Sequence, residues 1–297
     1  MKGRNGKAAG LAMLLALALL LPGCAWLDVK QRGWIYRPTP GVLADWQPIT
    51  AADEAIWLVR PEPGPDGQPQ RLRAIWVPGP DPAAPGVLYL HGTFRNLFQN
   101  RAKIAAIQAA GFSVLAVDYR GWGESTHVLP SEDSIVEDAE IAWAEFARRV
   151  PQPNQRIIFG HSMGSGVAVE LALRHRTPPG YGALVLESAM TSMPDIARDQ
   201  GTLGTVGAWL TTQHFTSIDK IGRIDAPKWF MSGTADRTVL SHQTQRLYDT
   251  AKAPKQIELF EGGSHSGLAQ EFETRYREVW QAVAAALAAP QAAGPIK

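Results

Sequence analysis

At 297 residues, with 45% hydrophobic and 19% charged side chains, the chain is apolar enough for one sizeable core and too poor in charge for a disordered protein. Lysine and arginine total 29 against 28 for aspartate and glutamate, and the net charge of +1 has no basic block within it, which leaves no electrostatic footprint for nucleic acid. The single cysteine, Cys24, rules out an intramolecular disulfide.

In chain order, the first segment carries Lys2, Arg4 and Lys7 and runs into the unbroken apolar stretch Leu11 to Leu21, a charged region followed by an apolar core too short for a permanent membrane span. It reads as an export signal. The following Leu21-Pro22-Gly23-Cys24 resembles the lipobox of bacterial lipoproteins, with Pro22 where a small residue is usual. That resemblance implies removal of residues 1–23, acylation of Cys24 and attachment to a bacterial cell-envelope membrane. Ala25, in place of aspartate after the cysteine, implies sorting to the outer membrane. A secretory signal cleaved elsewhere is the alternative.

Residues 24–50 are rich in tryptophan and proline with no sustained period, and are expected to form a tether that packs on a domain spanning 51–288; residues 289–297 are expected as a flexible tail. "AIWLVR" and "RLRAIWV", separated by a turn-rich loop, predict a hairpin. Beyond Pro85, six strand-like runs ("GVLYLH", "SVLAVDY", "RIIFG", "ALVLES", "KWFMSG", "QIELFE") alternate with helical stretches near Leu97–Ala110, Ser131–Val150, Ser162–His175, Ser241–Ala253 and Leu268–Ala288. In the second stretch Ile135, Ala139, Ala142, Phe146 and Val150 share one apolar face. This alternation predicts an α/β fold: a mostly parallel central sheet with helices on both faces. The irregular interval Met190–Asp225 is expected as a small cap of one or two short helices over the sheet's carboxyl edge, with Met193, Trp209 and Phe215 as candidate pocket residues.

The segment Gly160-His161-Ser162-Met163-Gly164 lies between the strand "RIIF" and a helical pattern that starts without a gap. A strand turning directly into a helix forces the central residue into a strained conformation, and side chains two positions either side would collide, so Gly160 and Gly164 fit an elbow that lifts Ser162 at the sheet edge. A serine hydroxyl needs a base, and the base an orienting acid. His265, in a glycine-rich loop after the last strand, is the candidate base; His91, His127, His161, His175, His214 and His242 lie in less suitable places. Asp236, in the loop after "KWFM", is the candidate acid, with Glu187 at the end of "ALVLE" as the alternative. The backbone N–H groups of Thr93 and Met163 are the expected oxyanion donors.

Taken in order, "YLHGTFRN", "GFSVLAVDYRGWGES", "FGHSMGSG", "LVLESAMTSM", "MSGTADRTV" and "GGSHSGL" resemble the α/β-hydrolase superfamily from about Ala55 to about Leu287. The likeness is to compact members related to depalmitoylating thioesterases and monoacylglycerol-type lipases. Thr93, Phe94 and Arg95 follow the His91-Gly92 pair where an asparagine is common in the family. The resemblance implies an α/β-hydrolase fold, and structural roles for Asp118 and Arg120. It also implies cleavage of carboxylic esters or thioesters, small-molecule or lipid, without metal or organic cofactor. A serine aminopeptidase or acyltransferase would use the same residues, and a catalytically silent envelope lipoprotein, kept as a binding platform, is an alternative of another class.

Overall fold

The central apolar runs become strands because their side chains are buried on both sheet faces, as parallel strands covered by helices require. The computed structural model describes residues 25–177 and 180–289; the segment expected as an export signal, Cys24 and residues 290–297 lie outside them. Strands β1 (Glu54–Val59), β2 (Arg71–Val77), β3 (Gly86–Leu90), β4 (Ser113–Val117), β5 (Arg156–His161), β6 (Ala183–Glu187), β7 (Lys228–Gly233) and β8 (Lys255–Phe260) form one sheet. Its order is β1-β2-β4-β3-β5-β6-β7-β8. β2 is antiparallel to both neighbours, and every other pairing beyond the hairpin is parallel.

Side chains alternate between two cores. Leu88, Leu115, Ile158, Leu184 and Phe230 face α3 (Glu132–Arg149), α4 (Met163–Arg174) and α7 (Ser241–Thr250). Val87, Tyr89, Phe159, Val185 and Met231 face α2 (Arg101–Ala109), α8 (Leu268–Glu271) and α9 (Glu273–Ala288). Each large side chain so buried contributes about 1.5–3 kcal/mol. All five apolar positions of the predicted α3 stripe lie in the first core. That helix starts at a capping box, in which Ser131 Oγ accepts from the Ser134 amide (3.1 Å) and Ser134 Oγ accepts from the Ser131 amide (2.9 Å). The last predicted helix is broken at Phe272, which separates α8 from α9.

From β3 the chain crosses to β4 on one side and then returns past β3 to β5 on the other. Ligands bind at such a switch point, outside the carboxyl ends of the strands. Residues 190–225 cover this edge with α5 (Met193–Asp199), α6 (Thr202–Leu210) and two short 3₁₀ turns.

The main departure from expectation is at the amino end of the described chain. Residues 25–36, expected as tether, form helix α1. Tyr36 at its end is fully buried, and its hydroxyl donates to Gln213 Oε1 at 2.6 Å. Residues 37–50 lie against the domain: the Gly41 amide donates to Gly123 O (2.7 Å), and Arg101 donates to Gln47 O (2.7 Å) and Pro48 O (2.8 Å).

Candidate active site

Ser162 stands between β5 and α4 with φ 56° and ψ −125°, a conformation that costs a non-glycine residue roughly 1–3 kcal/mol. The surroundings hold it there. Its amide donates to Glu187 O at 3.0 Å, and its carbonyl accepts from Ser165 Oγ at 2.6 Å. A Cβ at Gly160 would sit 2.3 Å from Gly164 O, and one at Gly164 would sit 2.1 Å from Leu90 O, so only glycine lets helix and strand approach this closely.

The structure brings three of the predicted side chains together. Ser162 Oγ lies 3.0 Å from His265 Nε2, and His265 Nδ1 lies 2.7 Å from Asp236 Oδ2. With the carboxylate accepting from Nδ1–H, Nε2 presents its lone pair to the serine hydroxyl. The loops after β7 and β8 are tied by an Ala235 amide bond to Gly263 O (3.0 Å), which sets aspartate beside histidine. Burial works to raise the Asp236 pKa, but hydrogen bonds from His265 and from the Val239 (2.9 Å) and Thr238 (2.8 Å) amides outweigh it and hold the carboxyl below its ordinary range.

Glu187 is placed elsewhere. Its carboxylate is fully buried, pairs with Lys103 Nζ, and accepts from Tyr276 OH at 2.9 Å. Its nearest approach to a histidine is 3.9 Å, to His161 rather than His265. Burial lowers the Lys103 pKa against the opposing pull of Glu187. Asp118 accepts from the Leu97 amide (2.7 Å) and lies 3.3 Å from His91, while Arg120 is bound to Asp138 (2.7 Å), so both serve the scaffold.

Thr93 and Met163 flank Ser162 in one cavity. Met163 opens α4, where the first amides have no intrahelical acceptor, and among the described residues nothing accepts from the Thr93 amide. Gly92 lets this loop close in, since a Cβ there would lie 2.9 Å from Ser162 Cβ.

Two clefts meet at Ser162. The larger, about 450 Å³, is walled by Met190, Met193, Ile196 and Val239, and by Trp34 and Ile35 of α1. The smaller, about 40 Å³, is lined by Arg95, Asn100, His161, His265 and Ser266. Of the three pocket residues expected in the cap, Met193 lines the large cleft. Trp209 instead points to solvent, and Phe215 is buried against the scaffold at Gly166. Sequence reasoning missed the contribution of α1, and it missed His161 Nε2, 2.9 Å from the carbonyl oxygen of His265.

Comparison with known proteins agrees with this architecture. A family described as serine aminopeptidase, S33, matches residues 82–219. An uncharacterised protein of Mycobacterium tuberculosis is 28% identical over 270 residues, covering 88% of this chain and 89% of its own. The zebrafish (Danio rerio) lysophosphatidylserine lipase is 30% identical over 192 residues, covering 58% of this chain and 49% of its own. Among solved structures, a Pyrococcus furiosus esterase superposes with a TM-score of 0.64 at 17% identity, covering 83% of this chain and 96% of its own. With its strand order, elbow and structural neighbours all in agreement, the chain has the α/β-hydrolase fold.

Proposed function

We propose that the protein is a serine hydrolase that cleaves carboxylic esters or thioesters through an acyl-enzyme, held on the bacterial cell envelope by acylated Cys24. One observation carries the catalytic part: a Ser162–His265–Asp236 relay of 3.0 and 2.7 Å opening into an apolar cavity of about 450 Å³. His265 Nε2 takes the Ser162 hydroxyl proton as Oγ attacks the acyl carbon, and the Thr93 and Met163 amides receive the negative oxygen. His265 then gives that proton to the departing alkoxide or thiolate. In the second half it takes a proton from water, which attacks the acyl carbon, and returns it to Ser162 Oγ as the acid leaves. Asp236 stays ionised and fixes the imidazole's tautomer.

The two clefts divide the substrate. The leaving group must depart beside His265, which lines the small cleft, so the acyl chain occupies the apolar one. Arg95 in the small cleft is exposed and, among the described residues, has no ion-pair partner, which suits a leaving group bearing an anionic head. The zebrafish relative's name, a lysophosphatidylserine lipase, supports a lipid ester of this kind. An aminopeptidase needs a carboxylate to receive the substrate's α-ammonium group, and neither cleft is lined by aspartate or glutamate.

Fluorophosphonate labelling tests the reading. The probe is expected to modify Ser162 in the wild type, and Ser162→Ala is expected to lose both labelling and turnover of nitrophenyl esters. Equal turnover in the variant rejects an enzyme acting at this site. For the anchor, Cys24→Ser is expected to give soluble protein or an unprocessed precursor, and mature membrane-bound variant rejects acylation.

A further inference from the structure

Around the mouth of the large cleft, apolar side chains face solvent on two separate helices. On α1 these are Trp26 (62% exposed) and Trp34 (80%), with Leu27 and Val29 beside them. On α6 they are Leu203 (89%), Val206, Trp209 (84%) and Leu210, which recur at three- and four-residue steps and so form one stripe. The two helices belong to one rim. Trp34 and Leu203 both line the cleft, and Thr212, just past α6, is bound to α1 through Gln31 Oε1 (3.2 Å) and Asp28 Oδ1 (2.7 Å). Scattered exposed apolar residues need no explanation, but aromatic and aliphatic side chains exposed on two linked helices that both line an apolar cavity do.

We propose that this α1–α6 rim inserts into a lipid bilayer, so that the cleft opens onto the membrane and takes its acyl chain from the lipid phase. The loading step rests on the ester-hydrolase reading; the insertion does not. Two observations select a bilayer as the occupant. First, ahead of residue 25 the sequence holds Cys24 and, three residues earlier, the end of the apolar stretch Leu11–Leu21. An extended chain spans at most about 3.6 Å per residue, so a membrane that holds either feature lies within a few residues' reach of Trp26. Second, the rim carries three tryptophans, with Lys30 Nζ 5.8 Å from the Trp26 ring, the pairing of amphipathic ring and cation that suits the headgroup layer.

The test uses full-length protein and vesicles of phosphatidylcholine and phosphatidylglycerol, with and without doxyl-labelled phosphatidylcholine. Wild type is compared with Trp209→Phe, which isolates the Trp209 emission, and with a Val206→Ser/Trp209→Ser/Leu210→Ser variant, none of whose three positions lines the cleft. Doxyl lipid is expected to quench the Trp209 emission. The triple variant should hydrolyse soluble nitrophenyl acetate within about twofold of wild type, yet lose at least about tenfold on a long-chain nitrophenyl ester held in vesicles. Unquenched Trp209 on vesicle-bound protein overturns the proposal. So does Trp209 shielded by self-association, seen as a concentration-dependent dimer in sedimentation, or shielded by the chain's own residues 1–24. Should wild type cleave neither ester, the ester-hydrolase reading fails, and quenching still decides insertion.

Discussion

His161 Nε2 lies 2.9 Å from the carbonyl oxygen of His265, so the residue just before the serine braces the loop that carries the imidazole. Burial, reinforced by the positive charge of Lys103, pushes the His161 pKa well below the ordinary imidazole range and keeps the ring neutral. A carbonyl oxygen can only accept, so the neutral ring's one proton sits on Nε2, which donates to it, joined at the same carbonyl by Ser188 Oγ at 3.2 Å. His161 acts through His265 and is a positioning residue. His161→Leu is expected to lower kcat about 10- to 100-fold with KM little changed, because a misplacement on the order of 1 Å at a reacting group costs about that much. His161→Gln keeps a donor and should recover most of the loss. Because His161 is neutral throughout, the acid limb of the kcat/KM profile should stay in place in the glutamine variant. A shifted limb would mean that His161 itself titrates.

Asp236 and Glu187 are expected to fail differently. Asp236→Asn leaves the imidazole in the wrong tautomer and should lose at least about 10²-fold in kcat, with KM little changed. Glu187→Gln leaves Lys103 buried without its counter-charge and should destabilise the fold by about 3–5 kcal/mol, while folded variant loses less than about tenfold in kcat. Steady-state kinetics beside urea unfolding checks both. The reverse pattern transfers the orienting role to Glu187. The pH dependence adds a sign. A carboxyl whose pKa is depressed on folding binds more protons when unfolded, so its stabilisation is complete above the unfolded value near ~3.9 and disappears as pH falls through the folded one. The stability gap between wild type and Asp236→Asn should therefore be widest above about pH 5 and shrink on acidification.

Legibility in the sequence followed the range of the interactions. The strands were readable because covered parallel strands demand continuous apolar runs, and the elbow because Gly160 and Gly164 answer a local steric demand. The loops carrying Asp236 and His265 follow β7 and β8 directly, so their placement at the carboxyl edge needed only the topology. Helix α1 was hidden because Trp26, Leu27, Val29 and Trp34 face outward, which leaves no buried stripe to detect. Trp209 misled for the same reason, its bulk suggesting a pocket while the α6 stripe faces solvent. The partners of Glu187, Lys103 and Tyr276, stand 84 and 89 residues away, a separation no local pattern encodes.

Arg95 gives a test of leaving-group charge. Arg95 lines the small cleft with His265 and Ser266. For esters of one acyl chain, Arg95→Gln should lower the kcat/KM ratio of an anionic to a neutral leaving group by at least about tenfold, chiefly through KM, since a charge-assisted hydrogen bond is worth roughly 1.5–3 kcal/mol. Arg95→Lys keeps the charge and should restore part of the preference. An unchanged ratio in Arg95→Gln would leave the small cleft without a role in recognising charge.

Gly207 separates stability from acyl-chain recognition. It lies in α6 and lines the large cleft, and a Cβ added there meets nothing within 4 Å. This contrasts with Gly204, where a Cβ would lie 1.8 Å from Ala197 O and force α5 from α6. Replacing a helical glycine with leucine gains up to about 1 kcal/mol of helix propensity when no clash opposes it. The same side chain at position 207 fills part of the 450 Å³ cavity that the acyl chain is proposed to occupy. Gly207→Leu should therefore be at least as stable as wild type in thermal unfolding. It should also raise the ratio of kcat/KM for short- over long-chain nitrophenyl esters by at least about tenfold, as one added methylene misfit costs about 1–3 kcal/mol. A variant that is stable but unchanged in chain-length preference would show that the acyl chain does not run beneath α6.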